Sequence, residues 1–67
     1  MTLTEANDRL FDLAQKAVDL QHEITRFRNE LKSGEWLASR SLSIAITQVE
    51  TAELWIVRAS SNMADND

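Results

Sequence analysis

Residues 38–63 read ASRSLSIAITQVETAELWIVRASSNM. Ala38, Ala45, Ala52 and Ala59 recur at intervals of seven, and Leu42, Val49, Ile56 and Met63 fall between them, so the apolar spacing alternates four and three without a break. That spacing predicts a helix with one committed apolar seam. Alanine leaves the backbone bare along one side of the seam, which lets a partner helix approach toward the low end of the roughly 8–10 Å interaxial range. The partner is read as lying mostly within the same chain.

Upstream, Thr2 and Glu5 form a T-x-x-E capping box that predicts a helix start, with Thr4 as a later alternative cap. Leu3, Ala6, Leu10, Leu13, Ala17, Leu20, Ile24, Phe27 and Leu31 then repeat the three-and-four spacing with no glycine or proline between them. Phe11, Ala14 and Val18 lie off that seam and form a second apolar patch, which suggests contact with another chain. Lys32, Ser33 and Gly34 are expected to end the helix, the glycine by taking a positive φ and the lysine by favouring the negative end of the helix dipole. Ser39 is the expected cap of the second helix, with a start as early as Glu35 as the alternative. Two long helices joined by so short a link must run antiparallel. The expected fold is therefore all-α, an antiparallel two-helix hairpin over residues 1–62 with helices at about 3–32 and 38–61, followed by a disordered tail at 63–67. Assembly into a helical-bundle oligomer is part of the same expectation.

Composition supports it. A chain of 67 residues is near the size at which folding hides only about 60% of the unfolded surface, so oligomerisation is expected. Proline and cysteine are absent and there is one glycine, which suits long helices and excludes disulfides and thiolate sites. No apolar run is long enough to span a bilayer, and the beginning MTLTEANDR lacks the basic and apolar segments of a signal peptide. A cytoplasmic, membrane-independent protein is expected. The formal net charge of −4 disfavours binding to DNA, whose affinity rests on neutralising many phosphates. A small ligand with two or three phosphates remains open to a few converging arginines.

His22 has no second histidine or cysteine at helical spacing and reads as a solvated surface residue. Glu50 and Glu53 sit three apart with no nucleophile implied, which favours salt-bridging or capping over acid–base work. The serines and threonines lack the partners that activate a hydroxyl. No catalytic residue, metal or cofactor is expected. Arg26, Arg28, Lys32 and Arg40 gather near the turn and form the candidate anion site, against the ordinary reading of a solvated basic end. Thr47 either contacts a ligand or returns its proton to the carbonyl one turn back. Trp55 and Trp36 are either aromatic platforms for a base or packing residues.

Arg40, Ser43, Ala45, Thr47, Glu50, Ala52, Trp55 and Ala59 form the pattern R-x-x-S-x-A-x-T-x-x-E-x-A-x-x-W-x-x-x-A. It resembles the second hairpin helix of the phage anti-CBASS and Thoeris anti-defence family over about 20 residues. The resemblance implies a small helical oligomer, a hexamer being one candidate, that holds a cyclic di- or trinucleotide immune signal in an infected host cell without cleaving it. Family members stack a base on a tyrosine near the N-terminus, and this chain has none, which puts the dinucleotide pocket in doubt. The ligand candidates are Arg40 and Thr47, then Arg26 and Arg58. The interface candidates are Phe11, Val18, Ala45, Ala52 and Trp55. An oligomeric hairpin adaptor for protein or structured RNA is the alternative, and an all-helical mutase a minor one, because the mutase spacing of arginines and acids is missing from the first helix.

Overall fold

In the computed structural model the backbone is described for residues 1–32 and 34–65, and side chains for 1–32 and 34–63. Two helices, α1 (Leu3–Glu30) and α2 (Trp36–Asp65), make up the fold. They pack antiparallel as one hairpin: Ser60 Oγ donates to Asn7 Oδ1 at one end (2.9 Å), and Arg28 Nη1 donates to Ser43 Oγ toward the other (3.1 Å). Among the described residues there is no strand.

Thr2 is the N-cap of α1, extended at φ −79 and ψ 164, and its hydroxyl accepts from the Glu5 N–H at 3.1 Å. The Glu5 carboxylate in turn accepts from the Thr2 hydroxyl. The two side chains thus close on each other, with the negative charge held at the positive end of the helix dipole.

The turn departs from expectation. α1 stops at Glu30, and Leu31 is extended (φ −69, ψ 144) with its N–H bonded to the Arg28 carbonyl. Gly34 does not take a positive φ, so its flexibility is not what ends the helix; Ser33 lies outside the described residues. The Glu35 N–H closes a turn onto the Lys32 carbonyl, and Ser39 N–H already donates to the Glu35 carbonyl. α2 therefore begins at Trp36, and Ser39 sits in its first turn rather than capping it. A Cβ built on Gly34 meets nothing within 4 Å. Gly34→Ala should accordingly stabilise the chain by about 0.4–1 kcal/mol through the unfolded state, read as a rise of roughly 2–8 °C in melting temperature.

At the other end α2 runs to Asp65, past the expected limit of 61. Nothing in SSNMAD breaks a helix, and Met63 continues the inward column of Leu42, Val49 and Ile56. Of the expected tail, residues 66–67 lie outside the described residues.

The predicted seam of α1 is half inward, whereas that of α2 is inward except at Ala38 and Ala52. On α1 the half-buried residues include Asn7, Leu10, Ala14, Ala17, Gln21, Ile24 and Arg28, with Leu31 just past its end; on α2 they include Ser39, Leu42, Ile46, Val49, Glu53, Ile56, Ser60 and Met63. The columns Leu10–Ala17–Ile24–Leu31 and Leu42–Val49–Ile56–Met63 are thus inward, as the spacing predicts. Their companions on the other side are the mixed rows Asn7–Ala14–Gln21–Arg28 and Ser39–Ile46–Glu53–Ser60. Leu13, Leu20 and Phe27 stand 48%, 45% and 55% exposed, and the alanine row lies at the edge of the α2 seam, with Ala45 and Ala59 half-buried and Ala38 and Ala52 exposed.

The inward polar residues pair across the hairpin. Besides Asn7–Ser60 and Arg28–Ser43, Gln21 Nε2 donates to Glu53 Oε1 at 3.0 Å. Three such bonds spaced along the seam fix register, as polar residues at inward coiled-coil positions do, at some cost in apolar burial. The outcome is a hairpin without a core: among the described residues none is buried. Its radius of gyration is 15.6 Å and its extents are 53 × 15 × 12 Å, against about 11 Å for a compact chain of this length.

Candidate functional site

The two helices differ in what they turn outward. α1 carries Glu5, Asp8, Arg9, Asp12, Lys16, Asp19, Glu23, Arg26 and Glu30 on its exposed sides, the composition of a solvated surface. On α2 the outward side from Leu37 to Asn62 holds a single acid, Glu50: it carries Leu37, Ile44, Leu54 and Trp55 among hydroxyl and amide side chains, with Arg40 and Arg58 as the cations. A helix that is apolar on its outer side as well as its inner one is built to be covered.

The best-formed constellation lies on this face near the C-terminal end of α2. Arg58 Cζ sits 5.7 Å from the Trp55 ring centroid, inside the range of a cation–π contact. Thr51, Leu54, Val57, Ser61 and Asn62 line the same shallow depression. Trp55 is 64% exposed and is not packed within the hairpin. Chemically, the group offers an aromatic face, a cation and neutral polar groups without a competing carboxylate among its lining residues. Such a set suits a base and a phosphate together.

Arg40 and Thr47 are exposed and lie seven residues apart on one stripe of α2. Thr47 Oγ1 donates to the Ser43 carbonyl at 3.2 Å, Ser43 Oγ to Ser39 and Thr51 Oγ1 to Thr47 in the same way. In this rotamer Thr47 offers a ligand lone pairs only; giving a proton to a phosphate requires it to leave the Ser43 carbonyl. Eighteen residues of helix separate Arg40 from Arg58, about 27 Å of rise. Both cannot touch one small ligand from a single copy. Arg26 is exposed on the far side of α1, and Arg28, expected with the turn cations, points into the seam.

Phe11 is 72% exposed while Val18 is half-buried; Phe11 borders a groove with Ala14, Ile56 and Val57 on one side of the hairpin. Ala45 is half-buried and Ala52 exposed, both in the row flanking the opposite side. His22 is exposed, and no cluster among the described residues could hold a metal ion. Glu53 is engaged by Gln21 in the seam whereas Glu50 is exposed, so the two acids serve different surroundings. The residues missed in the sequence are Thr51, Ser61 and Asn62 beside Trp55 and Arg58; the signal was their common face, at spacings of three, four and seven from one another. No described helix is long and apolar enough to cross a membrane. Comparison with protein-family models, curated proteins and solved structures gives no match.

Proposed function

We propose that this chain is a binding protein that sequesters a cyclic oligonucleotide signal, intact, at sites completed by association of several copies. The observation that supports it most is the depression on the outer face of α2, lined by no acid, where Arg58 lies over Trp55 with hydroxyl and amide groups beside it. The R-x-x-S pattern that resembles the anti-defence hairpin occupies the same helix. Holding a messenger at nanomolar levels takes about 12 kcal/mol, more than one open depression supplies to a small ligand. The full site therefore draws on two copies, and the separated cations Arg40 and Arg58 are the groups it would use. Cleavage is not part of the proposal, because no residue pair on this face forms a nucleophile with a base.

Leu37, Ile44, Leu54 and Val57, each at least half exposed, favour the second reading, an adaptor whose partner is a protein surface. One experiment separates the two. The protein is incubated with a panel of cyclic di- and trinucleotides, isolated and denatured. Release of unchanged nucleotide is the expected result; altered nucleotide would mean an enzyme, and no uptake would leave the adaptor.

A further inference from the structure

The row Leu13, Leu20 and Phe27 on α1 and the row Ala38, Ala45, Ala52 and Ala59 on α2 flank the seam on the same side, since one groove is lined jointly by Ala6 and Leu13 and by Ala59 and Met63. Both rows repeat every seven residues. The Asn7–Ser60 and Arg28–Ser43 bonds bracket their levels: Leu13 lies level with residues 54–58, Leu20 with 47–51 and Phe27 with 40–44. Each large side chain is thereby level with a gap between successive alanines.

We propose that this face is the docking surface for a second copy of the same chain, related by a two-fold axis parallel to the helices. That axis lays α1 of one copy antiparallel over α2 of the other and preserves the levels. Leu13, Leu20 and Phe27 of each copy then enter the spaces between the alanines of its partner, knobs into holes, and the contact is self-complementary. A two-fold axis across the helices sets large row on large row and alanine on alanine, which leaves a gap that close packing does not tolerate.

Area and charge favour the same occupant. A folded monomer of 7.6 kDa exposes about 4,300 Å2 by the usual scaling, whereas this chain exposes 5313 Å2. The excess, about 1,000 Å2, is close to the roughly 800 Å2 each partner contributes to a standard interface. At the rim, the charged shoulder of α1 (Arg9, Lys16, Glu23) meets the uncharged shoulder of α2 (Ser41, Gln48, Trp55), so no like charges confront each other. The inference does not depend on the ligand.

The natural absence of cysteine permits a direct test. Leu20→Cys and Ala45→Cys chains are prepared separately, mixed unfolded, refolded together and treated with a short bis-maleimide. The expected product is a mixed cross-linked dimer in excess of random pairing, while the native mass of the unmodified protein is an even multiple of the chain. Predominance of Leu20→Cys homodimers, absence of the mixed dimer, or a monomeric or odd-numbered native mass would each overturn the proposal. Cysteine at either position retains the helix, and circular dichroism of both variants checks that it does.

Discussion

An Ile24→Asp chain is expected to lose most of its helical circular-dichroism signal at room temperature, whereas His22→Asp, two residues away, should change stability by no more than about 0.5 kcal/mol. Ile24 is in the inward column of α1 and His22 is exposed on its outer side. At about 0.05–0.15 kcal/mol per residue, a chain of this length has roughly 3–10 kcal/mol of stability in total. Truncating an inward isoleucine costs on the order of 2–5 kcal/mol in a closed core, less in a half-open seam, but a carboxylate there adds its desolvation, and pairing with Arg28 one turn on would draw that side chain from Ser43. The sum is comparable with everything the fold has. Equal helicity in the two variants would mean that the inward column is not what holds α1 to α2.

The second large effect concerns the face of α2. If a cyclic nucleotide is retained, Arg58→Ala should weaken retention about 10- to 150-fold, the equivalent of losing one charge-assisted hydrogen bond worth roughly 1.5–3 kcal/mol. Trp55→Ala should act by a similar amount through lost stacking. Arg40→Ala, about 27 Å along the same helix, should weaken the same ligand only if a second copy brings it to the site. Titration of each variant with the retained nucleotide measures this, with helical content and assembly mass as controls. Full retention by Arg58→Ala and Trp55→Ala would remove the depression from the site; loss with Arg40→Ala alone would move the site to the turn end of α2.

The hairpin itself was legible because long helices without proline, joined by a few residues, have one way to pack. The columns Leu42–Val49–Ile56–Met63 and Leu10–Ala17–Ile24–Leu31 were legible too. What misled was the choice of companion row. A column repeating every seven residues has a row on either side of it, and apolarity alone selects Leu13, Leu20 and Phe27 on α1 and the alanines on α2. The hairpin instead turns inward Asn7, Gln21 and Arg28, whose partners Ser60, Glu53 and Ser43 are on the other helix. No periodicity reports a hydrogen bond between residues 53 positions apart. Leu13, Leu20 and Phe27 are then left exposed on α1, while α2 keeps Ala45 and Ala59 half-buried and leaves Ala38 and Ala52 exposed.

Of the candidate site, the cations and Trp55 could be named from the chain, but not their grouping. The sequence placed Arg40 and Thr47 ahead of Arg26 and Arg58; helical geometry distributes the four over two helices and separates Arg40 from Arg58 by eighteen residues of α2. The Arg58–Trp55 contact was implicit in a spacing of three, yet the same spacing also fits two residues that merely share a face.

Among the described residues the hairpin has no buried core, and we propose that further copies complete its burial. Sedimentation equilibrium of the unmodified protein over a wide concentration range, with helicity followed on the same samples, tests this most directly. The predicted result is an even-numbered assembly whose dissociation on dilution is accompanied by loss of helix. A fully helical monomer of 7.6 kDa whose mass and helicity do not change with concentration would contradict it.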